Sequence, residues 1–320
     1  MISDKFSSLL FYGSFLICIP PGILFFYIAL TKTPQTMLSY RNTLLNVWFW
    51  YYLTVVSFAI LLQPVFVSRE SEIYAKSLGP LTRIYPEFIY LGWYISIFGI
   101  ANIAASLVLC VLFRFAQLKF KQLHHFLHSC CGIICCIAVH LLLSFVLMFV
   151  MYIILSQTDK VEISNDLLLK INIRHNCKVI IAIALLSATL CVAASILVIL
   201  TCIIIQEMRK QRFLVTAKTY KLQKSLTISL ILFTFMPLIL DAIPICAFAV
   251  LLAFAHPLAP AMFLFASHLP FIDVFISCAI TLVFIKPYRV ALKNILKLKK
   301  IQMVLHHGTT VMHRGSNTIC

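Results

Sequence analysis

The sequence predicts an all-α membrane protein: a seven-transmembrane helix bundle, N-out/C-in, with a short amphipathic eighth helix on the cytoplasmic face. Three observations carry this. Of 320 residues, 62% are hydrophobic and only 11% charged, with a mean hydropathy of +1.01, more apolar surface than a soluble core absorbs. The charges stand between long uncharged blocks, and each block exceeds the roughly 20 residues a spanning helix needs. Finally, Lys and Arg are distributed unequally between alternate loops. One set of loops holds 18 of them against the single acid Glu207, and the other holds 8 against seven acids. Positive charge stays on the cytoplasmic side, so the amino terminus is expected outside.

The blocks place helices at about 6–31, 42–68, 88–113, 129–156, 179–206, 225–256 and 260–285, an amphipathic helix at 287–300, and a polar tail at 301–320. Residues 1–300 thus read as one domain with short loops. A single chain without barrel alternation satisfies its backbone in lipid only as helices. The first block contains Pro20 and Pro21 and is too long for a cleaved signal peptide, so it reads as a signal anchor. The second begins after Arg41 and carries Pro64, and the third ends at Arg114. The fourth opens on Cys130, Cys131, Cys135 and Cys136 and holds a lone histidine, His140, expected to be packed and satisfied. The fifth ends at Glu207. In the sixth, Pro237 and Pro244 each remove a backbone hydrogen bond and permit a kink. The seventh ends where Pro287 prevents a straight continuation and opens a new helix. There Lys286, Arg289, Lys293, Lys297 and Lys300 recur every three or four residues opposite Tyr288, Ala291, Leu292, Ile295 and Leu298. That pattern suits a helix lying on anionic membrane lipids.

Acids inside a bilayer cost roughly 2.5–3.5 kcal/mol on insertion scales and mark functional candidates. Asp241 and Asp273 are the two here. Counting depth along the sixth and seventh helices places Asp241 level with His268, near enough to pair, with Asp273 deeper. Trp93, Tyr94 and Phe98, with Phe248, Phe271 and Phe275, are expected to supply aromatic walls of an apolar pocket. An interhelical hydrogen bond that only fixes packing remains the alternative for both acids. The clustered cysteines read as membrane-facing small residues, with Cys130 and Cys131 as palmitoylation candidates, and no metal site is expected. The first outer loop has no cysteine and the second only Cys177, so Cys177 is expected to be free. The eight glycines make neither a nucleophile elbow nor a nucleotide loop, and no HExxH is present. The sequence therefore points to no enzyme and no cofactor. The net charge of +16 is a topology signal, not a nucleic-acid one.

Four stretches narrow the reading: KTPQTMLSYRNTLLN (Lys32 to Asn46), TYKLQKSLTISL (Thr219 to Leu230) followed by Pro237 and Pro244, the Pro-Tyr-Arg at Pro287, Tyr288 and Arg289, and Pro20, Pro21 and Pro64 in the first two helices. Together they resemble nematode serpentine seven-transmembrane chemoreceptors, most closely the Srh class of the Str superfamily, on the rhodopsin-like plan of G-protein-coupled receptors. The resemblance implies a chemosensory, odorant-type receptor in the plasma membrane, on a sensory cilium, that binds a volatile or lipid-like small molecule. It also implies a heterotrimeric G protein as partner, met by Arg114, Lys218, Lys221, Lys224, Tyr288 and Arg289. The wider plan has an acid beside the third-helix arginine; Phe113 stands there. A small-molecule or ion transporter, or a ligand-gated channel, is the second reading, resting on Asp241, Asp273 and the kinked sixth helix.

Overall fold

The computed structural model describes residues 4–69, 72–163, 166–171, 177–211, 216–254 and 256–297. Seven helices in it are long and apolar enough to cross a membrane. They are α1 (Asp4–Lys32), α2 (Leu38–Val56) with a π-turn over Ser57–Leu62, α4 (Phe88–Lys119), α6 (Cys130–Ser156), α7 (Cys177–Gln211), α8 (Ala217–Pro237) joined through a π-turn to α9 (Ile243–Ala253), and α10 (Ala259–Phe284). Short helices α3 (Pro80–Ile84) and α5 (Lys121–His128) occupy opposite ends of α4. The third span, α4, is the central post, packing against α2, α6 and α7.

The sixth span shows why proline position matters. Pro237 closes α8, Pro244 stands in the first turn of α9, and five of the six residues between them, Leu238–Ala242, wind as a π-turn. Pro244 offers no N–H to the preceding turn, and the wider winding absorbs the missing bond. Asp241 sits in that π-turn. At the other end of the bundle the seventh span stops at Ile285, whose extended backbone turns the chain, and residues 286–297 form a further helix. Tyr288 is fully buried there, and Ala291, Leu292 and Ile295 pack on the core.

The loops after the second and fourth spans depart from a purely helical plan. The second span was expected to run to Ser68, but its helix ends at Leu62. Pro64 disfavours a helical residue before it, and Gln63 takes a left-handed conformation at φ 40°. Its side chain stabilises this corner by accepting from Ser8 Oγ at 2.7 Å and donating to Ala59 O at 2.7 Å. Pro64 then opens a strand, a position where its missing donor does no harm. Strands β1 (Pro64–Arg69) and β2 (Glu72–Ser77) form one hairpin, and β3 (Thr158–Ile163) and β4 (Asp166–Ile171) another. They join as one antiparallel sheet in the order β1-β2-β4-β3. Lys76 bonds Asp4 at 2.6 Å, so the start of the first span lies on the sheet side.

Across the seam between the hairpins, Lys170 Nζ lies 2.6 Å from Glu72 Oε1, and Tyr74 donates to Glu72 Oε2 at 2.6 Å. The bonds from Lys170 and Tyr74 hold the Glu72 carboxyl below its ordinary range, and the bond to Glu72 raises Lys170. A lowered carboxylate stabilises the fold above its ordinary value and loses that contribution as pH falls through the lowered one. Acidification is therefore expected to loosen the β2–β4 seam, seen as faster intrinsic-rate-corrected amide exchange at Tyr74 and Ala75. Equal protection on both sides of the carboxylate range would mean the ion pair contributes nothing.

A polar network fastens the second, third and fourth spans. His140 Nδ1 meets Asn102 Oδ1 at 2.7 Å, and its Nε2 meets Asn46 Nδ2 at 3.2 Å. Asn46 donates to Ser106 at 2.9 Å and accepts from Trp50 Nε1 at 3.2 Å, while Asn102 donates to Ser144 at 2.9 Å. The amide assignments make His140 the neutral imidazole with its proton on Nδ1. His140 is packed and satisfied, as the sequence suggested. His140→Leu leaves Asn102 Oδ1 and an Asn46 N–H without partners, at roughly 1–3 kcal/mol for each buried group. A clear fall in the thermal unfolding midpoint in detergent is expected, and an unchanged midpoint would remove the network from the stability argument.

Candidate functional site

Beneath the sheet a cavity of about 230 Å³ opens among α2, α4, α7, the sixth span and α10. Its roof comes from the outer loops: Phe66 of β1, Ala75 of β2 and Leu169 of β4. Phe66 points into an aromatic cluster, with ring centroids 4.4 Å from Phe263, 5.2 Å from Phe248 and 6.2 Å from Trp93. Alternation along β1 and β2 sends Phe66, Ile73 and Ala75 to the buried face. The strands thus cap the cavity with apolar side chains while their polar residues face outward.

The polar lining is sparse: Tyr51, Thr54, Ser96, Thr158, Asp241 and Ser267. Among the described residues Asp241 is the one acid in the lining, and no Lys, Arg or His lines the space. Asp273 lies behind the lining, fully buried, accepting from Ser277 Oγ at 3.0 Å. Asp241 Oδ1 has no hydrogen-bond partner, and the Tyr51 hydroxyl and Asp273 Oδ2 neighbour each other without closing a bond of ordinary length; the two carboxyls and the phenol stand within electrostatic reach of one another. Acidic groups with no counter-charge in one low-dielectric spot either stay protonated or take up a positive group.

Of the residues the sequence suggested for ligand contact, Trp93 and Asp241 line the cavity, as does Phe248. The others do not. Tyr94 packs outside the lining, and Phe98 meets Trp50 edge-on at 5.5 Å. His268 does not pair with Asp241: its Nδ1 bonds Leu264 O at 2.7 Å and its ring lies 4.3 Å from Phe11 of the first span. Asp273 instead stands within electrostatic reach of Asp241, whose π-turn packs against α10. Phe271 packs beside Phe11 at 6.3 Å, and Phe275 faces outward. The sequence reading missed Phe66, Leu169, Tyr51 and Phe263. Alternating apolar residues in the loops were the available sign of the first two; nothing marked the others.

At the opposite end, Arg114 is 4% exposed. Its Nε and Nη2 donate to Thr227 Oγ1 at 3.2 and 3.0 Å, Nη2 also donates to Gln223 O at 2.8 Å, and Nη1 donates to Gln117 Oε1 at 2.7 Å. Gln223 and Thr227 lie one turn apart on α8 and face the same way. A neutral clasp therefore joins the third and sixth spans where no acid is available. Lys221, Lys224 and Arg289 are exposed on this side. Lys218 begins the same helix, with its side chain outside the described residues, as are Lys299, Lys300 and the tail at 301–320. Tyr288 is buried, its hydroxyl 2.9 Å from Thr33 Oγ1, and it anchors the helix over 286–297 to the loop after the first span rather than facing solvent. Cys130 and Cys131 are exposed at the start of α6, and Cys177, like every described cysteine, is unpaired.

The crystal structure of squid rhodopsin is similar in fold, with a TM-score of 0.63 over 92% of this chain and 88% of that one, at 11% sequence identity. No curated protein matches the chain. The family model for the serpentine type 7TM GPCR chemoreceptor Srh matches residues 2–298. This multi-pass membrane protein therefore belongs to the Srh family of serpentine seven-transmembrane GPCR chemoreceptors.

Proposed function

We propose that the protein is a plasma-membrane chemosensory receptor, N-terminus outside, that binds a small molecule in the roofed cavity and signals to a heterotrimeric G protein by outward movement of the sixth span. The supporting observation is that one helix touches both ends of the process. Its π-turn, Leu238–Ala242, contributes Leu238, Asp241 and Ala242 to the cavity wall, and its inner end is held by Arg114 through Thr227 and Gln223. A ligand that fits the cavity better with the turn rewound shifts the helix by its differential affinity. Release of the clasp then opens the inner side, where Lys218, Lys221, Lys224, Arg289 and the freed Arg114 meet the G protein. Such a receptor belongs on the sensory cilium of a chemosensory neuron, and acylation at Cys130 or Cys131 fits their exposed position at a span's mouth.

The test is expression with a promiscuous G protein and a calcium reporter against odorant pools, with Arg114→Ala in parallel. A ligand-dependent response lost in the variant at equal surface level is expected, together with ligand-dependent displacement of a spin label at Lys221. Ligand-evoked current or uptake that survives G-protein blockade would overturn the reading in favour of a channel or transporter.

A further inference from the structure

We propose that the cavity is built for a small organic amine, an ammonium head on an apolar body, with Asp241 as the group that binds the head. This rests on the cavity being the ligand site. The lining is mostly aromatic and aliphatic, and among the described residues one side chain that can carry charge at neutral pH, Asp241, stands in it, in the π-turn. No basic side chain lines the cavity among the described residues. Arg114, buried, is committed to Thr227, Gln223 and Gln117 at the other end of the bundle. The acid therefore has no counter-charge of its own.

The surroundings of Asp241 point to a cation. Its Oδ1 is unpartnered, and beside it the Tyr51 hydroxyl and Asp273 Oδ2, on residues 1% and 0% exposed, neighbour each other without closing a bond of ordinary length. Two carboxylates in one low-dielectric space do not both remain ionised without a positive group between them. An ammonium supplies that group together with up to three N–H donors. It donates to Asp241 from within the cavity, and Asp273, out of the lining and steadied by Ser277, reinforces the negative potential from behind. An inorganic ion would satisfy the oxygens but leave the apolar space above them unfilled. An acid of the same length meets like charge, and an alcohol or aldehyde brings no charge to offset the desolvated carboxylate.

Hexylamine, hexanol, hexanal and hexanoic acid share one chain and differ only in the head, so they isolate this contribution. In the G-protein reporter cell, hexylamine is expected to be about 100-fold more potent than hexanol, and Asp241→Asn to remove that preference while Asp241→Glu retains it. Purified full-length receptor in detergent gives an independent reading without coupling: hexylamine is expected to raise its unfolding midpoint, and Asp241→Asn to abolish the rise. Equal potency of amine and alcohol, or an amine response unchanged in Asp241→Asn at the same surface level, overturns the proposal and leaves the receptor reading standing. No rise of the midpoint with hexylamine at millimolar concentration overturns it too. A midpoint rise dependent on Asp241 with no G-protein response supports the amine site and counts against the receptor reading instead.

Discussion

Thr227→Val is expected to raise ligand-independent signalling by roughly 10-fold or more, with surface level unchanged. Valine keeps the shape and removes the oxygen that accepts both Arg114 Nε and Nη2. The guanidinium is almost fully buried, so it cannot turn to water for compensation. A hydrogen bond to a charged group is worth about 1.5–3 kcal/mol, and each 1.4 kcal/mol is tenfold in an equilibrium constant. On the proposed outward movement of the sixth span, the loss falls on the closed arrangement alone, since the clasp exists only while the third and sixth spans touch. Gln223 O and Gln117 Oε1 remain as acceptors, which keeps the shift partial. Thr227→Ser restores the acceptor and is expected to restore the basal level. Wild-type basal signalling in Thr227→Val, measured per receptor at the surface, would show that this contact does not hold the closed state.

Gly79→Ala is expected to produce the largest loss of stability of any single methyl addition at the outer face. A Cβ at Gly79 would stand 2.1 Å from Leu61 O and 2.7 Å from Leu61 C. Both are backbone atoms of the π-turn that ends the second span, so no side chain can rotate away. The neighbourhood is tightly bonded: Leu78 N donates to Gln63 O at 3.1 Å, Ser77 Oγ to Leu62 O, and Thr82 Oγ1 to Gly79 O at 2.7 Å. Overpacking typically costs about 1–3 kcal/mol and more where backbone must move, and here the upper end applies. Because the corner carries β1 and β2, the cavity roof moves with it. The expected result is sharply reduced surface delivery and a lower unfolding midpoint, with Gly13→Ala, which meets nothing within 4 Å, as the neutral control. Equal midpoints for the two variants would show that the corner yields.

The two variants probe opposite ends of one design. Gly79 sits against the corner that carries the cavity's roof, and Thr227 accepts from Arg114 at the other end of the bundle. Between them the π-turn between Pro237 and Pro244 is the part of the sixth span least braced by its own ladder, and Asp241 lies within it.

The sequence by itself determined the seven spans, the family, and the uneven share of Lys and Arg between alternate loops. Each of those is written locally: a run of apolar residues longer than a bilayer, a lysine count in a loop, a Pro-Tyr-Arg after the last span. Lipid is the solvent that reads them, and it reads length and hydropathy without regard to what lies beyond. Pro237 and Pro244 also announced a weak point in the sixth span, since a missing N–H is a local fact. Only the tertiary structure decided which faces meet. Spans apolar on every side carry no amphipathic stripe to say which face turns inward, so Phe98 and Phe275 looked as suited to the cavity as Trp93. Depth counting placed His268 beside Asp241, but the π-turn set Asp241 against Asp273 and Tyr51. Arg114 showed no acidic neighbour in sequence, and its clasp to Thr227 depends on residues 113 positions apart. The outer sheet was hidden for the same reason. β2 pairs with β4 across nearly a hundred residues, and hydrogen bonds between distant loops follow from where the helices deliver their ends.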